Sequence, residues 1–184
     1  MLERLFPGAA HLQNLHPLVV HFPIVLVMLL PISVVVALWV VRKSATPRRV
    51  WAVPLTMAAA LTLSAWVATE TGESQEDRVE RVVTRQALHG HEESAERFLV
   101  LSGVLLLVIA GGMARGTVGR AARYVSAVGA LGLVVAGVQV GHSGGALVYR
   151  HGAASAYAGA PSSGSRDFDR TDSPAAAERR GSSR

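Results

Sequence analysis

The sequence predicts an all-α integral membrane protein, a four-helix bundle followed by a disordered C-terminal tail. Half of its 184 residues are hydrophobic and 17% are charged, whereas about a quarter of the residues in an ordinary soluble domain are charged. Four apolar runs also approach or exceed the roughly 20 residues that a helix needs to cross a bilayer. The predicted spans are about 18–41, 50–69, 98–114 and 124–141.

The ends of these spans carry residues that suit a membrane surface. The first span contains no Asp, Glu, Lys or Arg, and basic residues follow it directly. The third span is short, and the fourth is rich in glycine. Aromatic side chains near span boundaries are expected to anchor the helices at the interface with water. The candidate anchors are Trp39, Trp51, Trp66 and Tyr149.

The segment between the second and third spans, about 73–97, is predicted to be amphipathic and to lie at the outer surface. Acidic residues recur at i, i+3, i+4 and i+7 from Glu73 to Glu80, while Val79, Val82 and Val83 lie on another face. This pattern is typical of a helix that lies along a membrane surface.

The chain divides into a membrane domain, residues 1–157, and a tail, residues 158–184. The tail is rich in Gly, Ser, Ala and Pro and has mixed charge, so it has too little apolar area to offset the entropy of ordering. No internal repeat is apparent, because the first two spans carry prolines and the last two carry glycines. The chain has no cysteine, which excludes disulfides, zinc ribbons and cysteine-ligated iron–sulfur clusters.

The charges are divided unequally among the three loops. The second loop, residues 70–97, has eight acids and four arginines. The first and third loops have no acid and seven basic residues: Arg42, Lys43, Arg48, Arg49, Arg115, Arg120 and Arg123. The positive-inside rule therefore predicts that these two loops are cytoplasmic and that the second loop and both termini lie outside. This distribution explains the net charge of +5, and no nucleic-acid partner is expected.

All seven histidines fall on the predicted outer side: His11, His16, His21, His89, His91, His142 and His151. Ionisable groups in or next to spanning segments are costly and are candidates for function. We expect His21, His91 and His142, from three helices, to meet in one layer, with His16 nearby. The alternative is that these are interfacial histidines, hydrogen-bonded to water and backbone.

A haem b site is the first interpretation of this layer, with His21, His91, His142 and His16 as candidate ligands. Haem b needs one or two axial ligands and no cysteine, and helical bundles present such ligands from facing helices. A stripe of glycines on the fourth span, Gly137, Gly141 and Gly145, offers room for a flat ring. The same stripe also suits close packing of another helix.

Two other interpretations stay open. A zinc, copper or iron site could use His21, His91 and His142 with the carboxylates of Glu92 and Glu73, although the spacing matches no established ligand motif. A structural or partner-binding subunit without a cofactor is the third. No catalytic triad, phosphate loop or dinucleotide fingerprint is present. Electron transfer to a redox partner protein on the outer face is therefore favoured over an independent enzyme.

Four segments of the chain resemble the motifs of a known family, the domain of unknown function 2231 (DUF2231). They are Asn14–Ile24 (NLHPLVVHFPI), Thr71-Gly72-Glu73, His91-Glu92-Glu93 and Gly141–Tyr149 (GHSGGALVY). The resemblance spans about residues 14–152 and implies four spanning helices in a bacterial cell membrane, with no established activity. Relatives fused to cytochrome c or Rieske-type domains imply a redox setting. The histidines that match the motifs are His16, His21, His91 and His142.

The topology predicts which loops an impermeant reagent reaches. Because the chain has no cysteine of its own, Ser44→Cys and Ser74→Cys each introduce one unique thiol, in the first and second loops. On intact cells, a membrane-impermeant maleimide should label the Ser74→Cys variant and leave the Ser44→Cys variant unlabelled until the cells are opened. The opposite pattern would reverse the orientation and move the histidine layer to the cytoplasmic side.

Overall fold

The computed structural model describes residues 16–73, 79–151 and 153. The helices in this part of the chain are α1 (His16–Val19), α2 (His21–Val41), α3 (Pro47–Glu73), α4 (Arg85–Gly111) and α5 (Gly116–Tyr149). Helices α1 and α2 are nearly continuous, since Val20 keeps helical angles of φ −62° and ψ −21° and its amide donates to the His16 carbonyl at 3.0 Å. No strand occurs among the described residues.

The four long helices form a closed ring. Helix α2 packs against α3 and α5, and α4 packs against the same two helices. Short connections make sequence neighbours antiparallel, so both ends of the bundle have a distinct set of loops. We call the end with residues 42–46 and 112–115 the basic end. The opposite end, with α1, the start of α4 and the end of α5, is called the histidine end.

The surface of the ring is suited to lipid. All four long helices are long and apolar enough to cross a membrane. Large apolar side chains cover their outer faces, and Leu107 and Val128 are each 73% exposed. Soluble monomers rarely expose contiguous apolar surface on this scale. The predicted integral membrane four-helix bundle is confirmed.

The bundle interior combines apolar side chains with a few satisfied hydroxyls. Val34, Trp51, Ile109 and Ala130, from the four long helices, are fully buried. Ser126 is also fully buried, and its hydroxyl donates to the Ala122 carbonyl at 2.7 Å. Because the hydroxyl is bonded within its own helix, a small polar residue lets helices approach closely at little cost.

The helices extend beyond the apolar runs at several ends. Helix α4 starts at Arg85, whereas the predicted third span starts at 98, and α5 runs past 141 to Tyr149. The segment about 73–97 is therefore not one separate surface helix in its described part. It contains the end of α3, turns at 80–83 and the start of α4. A small apolar cluster joins these ends of the helices: Val83 and Leu88 pack with Leu147 and Ala153.

Trp51 differs from the expected interface anchors. Trp39, Trp66 and Tyr149 are 63%, 46% and 90% exposed, whereas Trp51 is 0% exposed. Its indole Nε1 donates to the Ile109 carbonyl at 2.8 Å, near the end of α4. The expectation for Trp51 is therefore wrong, because this indole finds its hydrogen-bond acceptor inside the bundle. The predicted tail, residues 158–184, lies outside the described residues, as does His11.

Gly112 is expected to be the glycine on which this contact depends. A Cβ at Gly112 would lie 2.2 Å from the Trp51 Nε1 atom and 3.0 Å from the Ile109 carbonyl oxygen. Gly112→Ala should therefore destabilise the bundle by about 1–3 kcal/mol, the usual cost of overpacking. Thermal unfolding in detergent measures the effect. Gly103→Ala is the control, because a Cβ there meets nothing within 4 Å. Equal melting temperatures for the two variants would contradict the prediction.

Candidate functional site

Two of the histidines are drawn into the bundle at the histidine end. His16 begins α1 and His91 lies in the second turn of α4, and both are half-buried. The other described histidines are exposed: His21, His89, His142 and His151. Burial therefore separates His16 and His91 from the remaining histidines of this layer.

His16 is held by the last turns of α3. Its Nδ1 lies 3.1 Å from the Thr71 hydroxyl oxygen. The Thr71 hydroxyl lies 2.9 Å from the Val67 carbonyl and 3.0 Å from the Ala68 carbonyl, to which it donates. Gly72 makes room for the imidazole, since a Cβ there would lie 3.2 Å from the His16 Cε1 atom.

His91 is held in the same way by α5. Its Nδ1 lies 2.9 Å from the Ser143 hydroxyl oxygen, and that hydroxyl donates to the Val140 carbonyl at 3.0 Å. Gly144 makes room for this second imidazole, since a Cβ there would lie 3.0 Å from the His91 Cε1 atom. Each histidine thus meets a hydroxyl residue followed by a glycine on the last helix of its own hairpin, α3 for His16 and α5 for His91.

These two sets of contacts form an internal repeat. The first hairpin, α1 to α3, pairs His16 with Thr71, and the second, α4 and α5, pairs His91 with Ser143, at separations of 55 and 52 residues. The ring of helices has the matching symmetry, because exchanging the two hairpins preserves which helices are neighbours. This repeat is not apparent in the sequence, because it lies in a few contact positions and not in the composition of the helices.

The hydroxyls determine which imidazole nitrogen carries the proton. The hydroxyl hydrogens of Thr71 and Ser143 are used in bonds to backbone carbonyls, so each hydroxyl oxygen can only accept. A neutral imidazole facing such an oxygen through Nδ1 must carry its proton there. With the proton assigned to Nδ1 by these contacts, Nε2 of His16 and of His91 would keep its lone pair and could bind a metal.

Burial also influences the protonation state of His16. Burial lowers the pKa of His16 from its usual value, and a hydrogen bond with the Ala68 carbonyl partly opposes this shift. Because the usual histidine pKa is about 6.5, His16 is neutral at pH 7, the form that binds metals.

The other candidate residues are distributed differently. His21 and His142 are exposed, and so is Glu73. Glu92 is half-buried and interacts electrostatically with His91, while its Oε2 lies 3.0 Å from the His89 Nδ1. Within residues 16–73, 79–151 and 153, no group of three or more His, Asp or Glu side chains is arranged to hold a metal ion.

The glycine stripe on α5 has two kinds of surroundings. At Gly137 a Cβ would lie 3.4 Å from both Phe98 and Val27, so this glycine serves helix packing. At Gly141 and Gly145 a Cβ would meet nothing within 4 Å, which leaves bare backbone on the same helix as Ser143.

Sequence reasoning did not identify the partners of the two histidines. They are Thr71, Gly72, Ser143 and Gly144. A usable signal exists, because both pairs are a hydroxyl residue followed by glycine near the end of the second helix of a hairpin. Both pairs also fall within segments that carry the family resemblance.

Comparison with known proteins gives one match. A family model described as "Predicted membrane protein (DUF2231)" matches residues 12–156, which include both hairpins and both histidine–hydroxyl pairs. No match is found among curated proteins or among solved structures.

Removal of the Thr71 hydroxyl is expected to weaken the preference of the His16 imidazole for the tautomer protonated on Nδ1. In the unmodified protein, ¹⁵N NMR should show His16 with its hydrogen on Nδ1. In Thr71→Val, which keeps the shape but loses the acceptor, this preference should fall. The loss of a buried hydrogen bond should also cost about 1–3 kcal/mol of stability, measured by thermal unfolding.

Thr69→Val is the matched control on the same helix. The Thr69 hydroxyl donates to the Ala65 carbonyl at 3.1 Å, so this variant removes a hydroxyl that is bonded within its own helix. The ¹⁵N shifts of His16 should not change in it. An Nε2-protonated His16 in the unmodified protein would refute the assignment of the tautomer.

Proposed function

This chain belongs to the DUF2231 family of predicted membrane proteins, and we propose that it is a membrane-embedded redox module that binds haem b between His16 and His91. The observation that carries the proposal is the pair of half-buried imidazoles whose Nδ1 atoms are held by hydroxyls. The Nε2 atoms of His16 and His91 then point away from the Thr71 and Ser143 hydroxyls. The two histidines belong to the two neighbouring hairpins of the bundle.

The donor set fits haem iron. Porphyrin supplies four nitrogen ligands, so two imidazoles complete six-coordinate iron. Histidines that bind metals almost always donate their other N–H to an oxygen, which fixes the ring and makes it a better ligand. Thr71 and Ser143 are suited to this role for His16 and His91.

The location of the site is the second point in favour of a redox role. The open glycines of α5, Gly141 and Gly145, are two residues before and after Ser143, so they lie on another face of the helix from the His91 contact. The site is at one end of the bundle, next to the surface. A haem there would accept and pass single electrons, and we infer that a redox partner protein binds at the histidine end. The predicted topology puts this end outside the cell.

A metal ion bound by histidine and carboxylate is the second candidate. It is favoured by one observation: the half-buried Glu92 directly follows the half-buried His91 in α4. Zinc, copper or iron would then bind to His16 and His91, and Glu92 would have to turn away from His89, whose Nδ1 lies 3.0 Å from its Oε2, to become a third ligand in place of the porphyrin. His21 and His142 stay candidate ligands in both versions, and Glu73 in the metal version alone, because they lie at the same end of the helices.

The absorption spectrum tests the proposal. Protein from cells supplied with haem should show a Soret band of six-coordinate haem b. His16→Ala and His91→Ala should each abolish or shift this band, because each removes an axial ligand. His89→Ala is the matched control, an exposed histidine in the same turn region of α4, and should leave the band unchanged.

Parallel variants separate the competing interpretations. If His21→Ala or His142→Ala abolishes the band and His16→Ala does not, the ligand pair is different from the one proposed. Glu92→Gln should preserve the Soret band, whereas a metal site that includes this carboxylate should lose affinity. Colourless protein with stoichiometric zinc or copper would establish the metal site, and protein with neither would leave a structural subunit.

A further inference from the structure

A second candidate site lies at the basic end, far along the helices from the histidines. A cavity of about 610 Å³ opens there between the first and third loops and the starts of α3 and α5. Its lining includes five arginines and no carboxylate: Arg48, Arg49, Arg115, Arg120 and Arg123.

The sequence provides no acidic residue near this cavity to balance its positive charge. The sequence contains no Asp or Glu in residues 5–69 or 98–166. The Arg–Glu ion pairs in the described residues lie toward the histidine end: Arg85 with Glu80, and Arg97 with Glu93. Several cations close together repel one another, so an anion from outside the protein would stabilise this end.

Two of the arginines are fixed in position by other groups. Arg123 is 9% exposed; its Nε donates to the Gly112 carbonyl at 2.8 Å, and its guanidinium lies 5.5 Å from the centre of the Trp51 ring. The Arg48 Nε donates to the Met113 carbonyl at 3.1 Å. Because both bonds use Nε, the terminal N–H groups of each guanidinium retain hydrogens for a bidentate acceptor such as phosphate.

Two helix starts add to the positive potential. Pro47 and Gly116, the first residues of α3 and α5, both line the cavity. The helix dipole is positive at this end, and the first amides of α5 have no carbonyl partner within that helix. In α3, Pro47 has no N–H, and the Arg49 and Val50 amides donate to the Thr46 carbonyl. Gly116 has φ +74°, a left-handed conformation that favours glycine and allows α5 to start directly after Arg115.

We propose that this cavity binds the phosphodiester headgroup of an anionic membrane phospholipid. The cavity lies where the apolar outer faces of the helices end, so a bound headgroup would leave acyl chains along exposed apolar side chains. Interfacial groups border the same end: Lys43 Nζ lies 5.2 Å from the centre of the exposed Trp39 ring, and Arg42 donates to the Tyr124 hydroxyl at 3.3 Å. Basic pockets between spanning helices are known to recognise such headgroups. This proposal is independent of the haem proposal.

The test compares two triple variants with the same change in net charge. Arg49→Gln/Arg115→Gln/Arg120→Gln removes three exposed arginines of the cavity and keeps Arg48 and Arg123. Arg81→Gln/Arg85→Gln/Arg97→Gln removes three exposed arginines near the histidine end and is the control. Native mass spectrometry with phosphatidylglycerol and with phosphatidylcholine measures lipid binding to each full-length protein.

The unmodified protein should retain phosphatidylglycerol in preference to phosphatidylcholine. The cavity variant should bind phosphatidylglycerol more weakly by a factor on the order of a hundred, since each basic residue near the surface contributes about fivefold. The control variant should change by less than about threefold. If the cavity variant does not fold, the single variant Arg115→Gln should still weaken binding severalfold.

Two outcomes would overturn the proposal. Equal retention of the two lipids by the unmodified protein, or equal losses in the two triple variants, would show that the cavity does not select an anionic headgroup. Binding of inorganic phosphate that is not displaced by phosphatidylglycerol would show that the phosphate-binding cavity serves a soluble ligand and not a lipid.

Discussion

The need to satisfy every backbone hydrogen bond inside a bilayer determines the form of this protein. In hydrocarbon, N–H and C=O groups have no water to bond, so only segments that bond internally can cross. The four long helices meet this requirement, and the buried hydroxyls of Ser102 and Ser126 bond to carbonyls of their own helices. The middle of the bundle is therefore mostly apolar, although the buried Thr62 hydroxyl on α3 has no hydrogen-bond partner among the described residues. Groups with reactive lone pairs or charge are concentrated at its two ends.

The two ends of the bundle position different side chains by the same kind of packing. At the histidine end, glycines next to hydroxyl residues let imidazoles approach the backbone of a neighbouring helix. At the basic end, Gly112 lets the Trp51 indole approach the end of α4, and the same indole lies beneath the Arg123 guanidinium. In each case a glycine on one helix leaves room for a ring from another element. The same contacts that position these groups also determine how the helices pack.

Much of the fold could be predicted because hydropathy reports directly on spanning helices. The first run, without charge from Leu18 to Val41, corresponds closely to α2. The ends of α4 and α5 could not be predicted in this way, since polar residues there continue the helix beyond the apolar run. For the site, the sequence predicted a layer of histidines at one end of the bundle. It did not predict that His16 and His91 are the members of this layer that face inward. His142 is exposed while its neighbour Ser143 contacts His91, because successive residues on a helix differ in direction by about 100°. Only the packed structure determines that rotation.

The recurrence of one histidine, one hydroxyl and one glycine in each hairpin has a consequence for symmetry. A ring of two such hairpins has the neighbour relations of a symmetric dimer of a single hairpin. A single chain does not require its two halves to be identical, and here the first two spans carry prolines whereas the last two carry glycines. A carboxylate, Glu92, directly follows His91, whereas Pro17 follows His16. The two half-buried imidazoles therefore have chemically unequal neighbours, and the two sides of this end of the bundle are not equivalent.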